Sequence, residues 1–190
     1  MAVAIQSFAE HEVPARLWAQ VCALHAQAWP VEEPQRLHPG HDPQLSPVSM
    51  VLVDDGLVLA ALTILCKDIE HDGRRWVASG LSTVVTGIEH RGKGYGRQLV
   101  AAARAEISRR GADLAVFTCD RPLRRFYEQA GWSVLPGTVL VGGTPEDPLP
   151  SDQFDKVTLG DFFTVRAKRA APVFRHSRIA LYPGLLDRLW

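Results

Sequence analysis

Leu81-Ser-Thr-Val-Val-Thr-Gly-Ile-Glu-His-Arg-Gly-Lys-Gly-Tyr-Gly96 is the stretch whose reading decides the fold. A β-branched apolar run ends in a glycine-rich basic turn, and Arg97-Gln-Leu-Val-Ala-Ala-Ala-Arg-Ala-Glu-Ile107 continues with helical character. Strand, glycine turn and helix start together gather free backbone N–H groups and the positive end of a helix dipole at one point, which suits a phosphate. Gly92, Gly94 and Gly96 let the main chain close on an anion with no Cβ in the way. Arg91, Lys93 and Arg97 add positive charge. Two better-known phosphate loops are excluded. No Gly-Lys-Ser/Thr closes the turn, and the Gly-x-Gly-x-x-Gly spacing of a dinucleotide fold is missing.

Downstream, Leu114-Ala-Val-Phe-Thr118 reads as a short buried strand. Asp120-Arg-Pro-Leu-Arg-Arg-Phe-Tyr-Glu-Gln-Ala-Gly-Trp132 follows it. Pro122 suits the first turn of a helix and Gly131 its C-terminal cap, so a helix of about two to three turns is expected between them.

The Arg-x-x-Gly-x-Gly spacing of Arg91 to Gly96 resembles motif A of the GCN5-related N-acetyltransferases, which hold the pyrophosphate of acetyl-CoA on such a turn. The second segment resembles the family's motif B, Asn-x-x-Ala-x-x-x-Tyr-x-x-x-Gly-Phe. Asp120, Leu123, Tyr127, Gly131 and Trp132 stand at its five fixed positions. Both motifs occur in the right order and at the right separation.

The resemblance implies an α/β (α+β) fold. Its central sheet is mixed and mostly antiparallel, flanked by helices, with one parallel pair of strands splayed into a V that receives the pantetheine. It implies one domain over residues 1–190, with a cofactor core at about 76–141 and substrate-side regions at about 30–47 and 142–190. Acetyl-CoA is the implied acyl donor. The implied cofactor residues are Val84, Val85 and Thr86 on the strand, Arg91, Gly92, Lys93, Gly94, Tyr95, Gly96 and Arg97 on the turn, and Asp120. Tyr127 matches the tyrosine that protonates the departing thiolate in many of these enzymes, although a helical tyrosine also packs its ring. A backbone N–H at Val84 to Thr86 is the expected oxyanion donor.

Family members often carry a glutamate on the strand before the turn, at or near Ser82. Here no acid occurs between Trp76 and Gly87. Either a water takes the acceptor's proton, oriented by Ser82, or a carboxylate arrives from elsewhere, with Asp68, Glu70 and the C-terminal tail as candidates. The expected activity is acetyl transfer to a primary amine of a small molecule. An acyl-CoA-binding sensor without turnover and a peptide or protein N-acetyltransferase are the alternatives.

The whole chain also resembles the aminoglycoside 2'-N-acetyltransferases. Shared features are an early helix, the Arg91-Gly92 turn, Arg124-Arg125-Phe126-Tyr127 leading to Gly131-Trp132, an acidic loop near Pro145-Glu146-Asp147, and an ending in Asp187-Arg-Leu-Trp190. That resemblance implies that Asp187 and the Trp190 carboxylate hold a cationic, aminoglycoside-like polyamine. The subfamily's strand glutamate falls on Ser82, which is a departure.

Global properties agree with this reading. A chain of 190 residues that is 46% hydrophobic can bury a substantial core. Zero formal charge and a pI near 7.1 remove the global basic field expected of a nucleic-acid binder. Cys22, Cys66 and Cys119 are odd in number and each lies among apolar residues, which fits thiols in a reducing compartment. No signal-like segment and no bilayer-length apolar run is present, so a cytoplasmic protein without a membrane partner is expected, compatible with a homodimer. His38-Pro-Gly-His41-Asp42 lacks a third spaced ligand, and no metal is expected.

In chain order, the pattern predicts an edge strand over 2–8 and a helix from Pro14 with Leu17, Val21 and Leu24 inward. Strands follow at 48–54, 57–66 and 76–86, with turns at Asp54-Asp55-Gly56 and His71-Asp72-Gly73. The helix after the glycine turn ends at Gly111, and 113–118 is a strand parallel to 76–86, joined to it by that helix. The remaining expectations are a strand over 132–141, a turn-rich loop over 142–160 and a strand over 162–167.

Overall fold

A computed structural model describes residues 3–30 and 40–182. His38, Asp187 and Trp190 lie outside the described residues. Ten strands and four α-helices follow one another in it. β1 (Ala4–Ala9) leads to α1 (Ala15–Ala28), then β2 (Val48–Asp54), β3 (Leu57–His71) and β4 (Arg74–Thr86). α2 (Tyr95–Arg109), β5 (Leu114–Asp120) and α3 (Arg124–Gln129) come next. The C-terminal part holds β6 (Ser133–Val134), β7 (Val139–Gly143), β8 (Pro148–Pro150), β9 (Lys156–Phe162), α4 (Val165–Ala170) and β10 (Arg178–Ala180).

Seven strands form one sheet in the order β1-β2-β3-β4-β5-β9-β6, and β10-β7-β8 form a second. Among the described residues of the large sheet only β4 and β5 run parallel. The β2–β3 and β3–β4 hairpins turn on Asp55-Gly56 and Asp72-Gly73, whose φ angles are all positive (47° and 78°, then 52° and 66°). Two adjacent positive-φ residues make the turn twist with the strands instead of splaying them, and an Asp-Gly pair tolerates that conformation.

Strand alternation sorts the core into two faces. On one face Leu99, Val100, Ala103 and Ile107 of α2 and Tyr127 of α3 pack against Met50, Leu62, Ile64, Phe117 and Leu159. Burying a side chain of this size stabilises by roughly 1.5–3 kcal/mol before chain entropy is counted. The opposite face carries two separate clusters. Leu17, Val21 and Leu24 of α1 cover Val51, Val53, Val58, Ala61 and Val85. Ala167, Ala170 and Phe174 cover Trp76, Ala78, Leu114 and Val116, with Leu140 and Ile179 of the small sheet. Between the two clusters that face shows a polar row, Ser49, Thr63 and Ser82, which are cross-strand partners on β2, β3 and β4.

Three C-terminal expectations are corrected. The segment 132–141 is not one strand. β6 ends at Val134, the chain turns through Pro136-Gly137 (Gly137 φ 64°), and β7 joins the other sheet. Residues 142–160 are not a loop throughout, because β9 starts at Lys156 and pairs along all of β5. Residues 162–167 do not return as a strand. Thr164 caps a helix there, its hydroxyl accepting from Ala167 N at 3.2 Å.

Candidate active site

β4 and β5 touch along only two register pairs, Ala78 with Leu114 and Ser79 with Ala115. Beyond them β4 continues to Thr86 and β5 to Asp120 without pairing to each other, which is the splayed V. A cavity of about 750 Å³ opens there. Val84, Val85 and Thr86 form one wall, and Leu123, Phe126, Tyr127 and Gln129 from the α3 side form the other. His90 and every residue from Arg91 to Arg97 line its polar end, with Ala28 at the margin.

The polar end is the start of α2. No side chain caps that helix, so its first-turn N–H groups have no capping acceptor among the described residues. Those donors and the helix dipole favour an anion in general, and Arg91, Lys93 and Arg97 line the same end of the cavity. Gly96 is required by close approach. A Cβ there would meet Thr86 Oγ1 at 2.6 Å and the Phe126 ring at 3.4 Å. A side chain would push the helix start off the strand and widen the groove. Arg91 is tied to the strand end, its Nε donating to Thr86 O at 3.3 Å.

At the tip of the V, β4 carries a bulge. Its register against β3 shifts between Ala61 and Thr63, and Thr83 takes a left-handed φ of 49°. A bulge leaves one main-chain unit out of the ladder, and here it falls at 83–84, next to Val84 of the groove wall. A non-glycine residue at positive φ costs about 1–3 kcal/mol, and such strain concentrates at functional sites.

Tyr127 is 6% exposed and stacks edge-on with Phe117 (centroids 5.2 Å apart) and Phe126 (4.9 Å). Burial, with Cys119 and Asp120 close by, holds its phenol well above its ordinary range, so it keeps its proton. Burial likewise pushes the Cys119 thiol up to about 11, which leaves it inert at neutral pH.

The sequence-expected residues divide accordingly. Val84 to Thr86, Arg91 to Arg97 and Tyr127 come together around the groove. Asp120 is not among the groove-lining residues, and its carboxylate accepts from Lys156 Nζ at 2.7 Å. Ser82 is buried on the face opposite α2, where His41 Nε2 lies 3.1 Å from its Oγ. His41 Nδ1 lies 2.7 Å from Glu10 Oε1, and the His41 backbone N donates to Glu10 Oε2 at 2.6 Å. Thr63 Oγ1 donates to Glu10 Oε1 at 3.3 Å.

The two carboxylates first considered for the base stand elsewhere. Asp68 pairs with Arg75, and Glu70 is exposed on the long hairpin. Glu10 and His41 were missed by sequence reasoning. They are 31 residues apart, and the one hint was an acid-free strand that needed a partner from another segment.

The description "Acetyltransferase (GNAT) domain" matches residues 11–135. The chain belongs to the GNAT acetyltransferase family. This member is an acyltransferase that uses acetyl-CoA. Its fold is shared with solved structures at low sequence identity. The GNAT family N-acetyltransferase YhbS from Escherichia coli, solved in complex with CoA, is 16% identical with a TM-score of 0.65, over 95% of this chain and 89% of that one. An acyl-CoA N-acyltransferase from Pseudomonas aeruginosa is 18% identical with a TM-score of 0.59, over 84% and 99%. An aminoglycoside 6'-N-acetyltransferase complexed with coenzyme A is 14% identical with a TM-score of 0.57, over 85% and 97%. A sequence search of curated proteins returned no significant match. Among the described residues no helix is long and apolar enough to cross a membrane.

Proposed function

We propose that this GNAT protein transfers the acetyl group of acetyl-CoA to a primary amine of a small molecule. The observation that carries the reading is the groove itself, with an uncapped helix start at one end and a protonated phenol and the β4 bulge at the other. The pyrophosphate rests on the α2 N-terminus with Arg91, Lys93 and Arg97, and the pantetheine runs along Val84 to Thr86. The thioester oxygen accepts from the bulge amide. The amine lone pair attacks the carbonyl carbon, the C–S bond breaks, and Tyr127 gives its proton to sulfur while regaining one from the acetylated nitrogen.

An aminoglycoside-like polyamine is the acceptor class we favour, on the chain-wide resemblance and the C-terminal Asp187 and Trp190. Carboxylates beside a cleft attract a polycation. We place the protein in a reducing compartment such as the cytoplasm, where unpaired Cys22, Cys66 and Cys119 are compatible with long life.

Thiol release from acetyl-CoA, measured against a panel of aminoglycosides, polyamines and peptide amines, tests the reading. Amine-dependent release with formation of the acetylated amine is expected. Tight acetyl-CoA binding with no release for any amine overturns transfer in favour of a sensor.

A further inference from the structure

Acyl transfer to an amine leaves one task unassigned in the groove, which is to take a proton from the acceptor. An amine reaches a protein at neutral pH as an ammonium ion, and it attacks only after losing that proton. β4 supplies no carboxylate for this, yet its Ser82 lies just before the bulge, on the face where the two apolar clusters part.

The hydrogen bonds around Ser82 have a direction. Burial works against the Glu10 carboxylate, but hydrogen bonds from the His41 side chain and main chain outweigh it and hold its pKa below the usual range, so it is an acceptor only. His41 therefore carries its ring proton on Nδ1, facing Glu10 at 2.7 Å. In the neutral ring Nε2 is then a lone pair, which accepts from the Ser82 hydroxyl 3.1 Å away.

The arrangement is built rather than incidental. The His41 and Glu10 side chains are 4% and 6% exposed. Gly40 (φ 85°) brings the main chain so close to Glu10 that a Cβ would stand 3.1 Å from Oε2. Beside them on the same row, Ser49 Oγ is buried without a hydrogen-bond partner among the described residues.

We propose that Ser82, His41 and Glu10 form a proton relay for the acceptor amine. This rests on the acyl-transfer reading above. The ammonium gives a proton to Ser82 Oγ as the Ser82 proton passes to His41 Nε2, leaving a neutral amine and an imidazolium balanced by Glu10. His41 and Glu10 also line a second cavity of about 600 Å³, which is the exit through which His41 returns the proton to solvent. Among the described residues, His11 and Arg110 are the other titratable or charged groups on that cavity. The neighbouring Asp42 carboxylate is occupied by Gln44 N at 2.8 Å, and Thr63 is the neutral neighbour on β3. His41 and Ser82 are the groups that move the proton, and Glu10 is a positioning residue.

The test combines turnover with a readout that needs no acceptor. For the best amine of the panel, His41→Gln lowers kcat about 100-fold or more with acetyl-CoA affinity unchanged. Ser82→Ala loses about tenfold, and Ser82→Thr, which restores the hydroxyl, recovers part of that loss. Glu10→Gln moves the acidic limb of the kcat–pH profile to lower pH. In NMR titrations, Glu10→Gln also lowers the midpoint of the His41 imidazole by about one unit.

Equal turnover by His41→Gln and wild type overturns the relay, as does a His41 midpoint indifferent to Glu10→Gln. An acetyl group found on Ser82 after incubation with acetyl-CoA alone overturns it in favour of a covalent acetyl-enzyme. A wild type that binds acetyl-CoA but acetylates no amine overturns the transfer reading itself, a result distinct from the other three.

Discussion

Two buried carboxylates sit toward opposite ends of β4, and they are held in different ways. Near its start, Asp113 accepts from Val77 N (3.0 Å), Thr164 Oγ1 (2.9 Å) and Arg166 Nε (2.8 Å), and Arg166 also lies over the Trp76 ring at 4.7 Å. Near its end, Glu10 accepts mainly from an imidazole that next touches a hydroxyl. The donors on Asp113 keep their protons at any ordinary pH, so that node can only fasten. It binds β4, β5 and the start of α4 where the parallel pair is closed. The donor on Glu10 is an imidazole, a group that can both give and take a proton, so that node can carry one. It lies where the pair has opened. The fold places its fastener at the shut end of the V and its movable proton beside the open end.

The largest effect that would sharpen the contrast belongs to the open end. Tyr127→Phe is expected to lower kcat about 100-fold or more, with acetyl-CoA affinity unchanged in titration calorimetry and the melting temperature within a few degrees of wild type. A stability loss with full turnover would instead make Tyr127 a packing residue.

At the closed end, Asp113→Ala should cost about 2–3 kcal/mol in guanidinium unfolding, somewhat below the range for a fully buried pair because Arg166 is half exposed. Folded protein should keep its acetyl-CoA affinity. Glu10→Gln should cost only about 1 kcal/mol, since an amide oxygen still accepts from His41. If the two losses were equal, the contrast between fastener and relay would fail.

Gly96→Ala should weaken acetyl-CoA about tenfold, because its Cβ meets Thr86 Oγ1 and lifts the helix start. Adding Thr86→Ala should restore most of the affinity, and a non-additive cycle of this kind identifies the contact.

Acid should unfold the closed end in a defined window. Arg166, with Val77 N and Thr164, lowers the folded Asp113 pKa from 3.8 to about 2. The unfolded chain therefore binds a proton first as pH falls. The stabilisation is complete above about pH 4 and is lost toward pH 2. Glu10, also lowered, acts in the same direction. Melting temperatures from pH 6 to pH 2 should fall less steeply in Asp113→Asn than in wild type.

The smallest effect is expected at Lys156→Met. Its pair with Asp120 is exposed, so unfolding should change by less than about 0.5 kcal/mol and acetyl-CoA affinity not at all.

The sequence by itself determined the strand, glycine turn and helix at the centre of this protein. The Val84-Val85-Thr86 strand, the Arg91 to Gly96 turn and the periodic helix behind it are contiguous, so local pattern was enough to read strand, phosphate turn and helix, and the two hairpins at Asp54-Asp55-Gly56 and His71-Asp72-Gly73 as well. Local pattern misread 132–167, because whether those residues join the main sheet, the small sheet or α4 depends on β9 pairing with β5. That is a long-range choice. Asp120 carried a motif position, yet Lys156 from the same β5–β9 pairing occupies its carboxylate. Only the tertiary structure decided the polar row. Ser82, Thr63 and Ser49 are far apart in the chain and meet only through cross-strand register, and Glu10 and His41 reach them from the end of an edge strand and from an irregular segment. No periodicity encodes such a meeting. Hydrogen-bond geometry exists only once the sheet has brought the segments together.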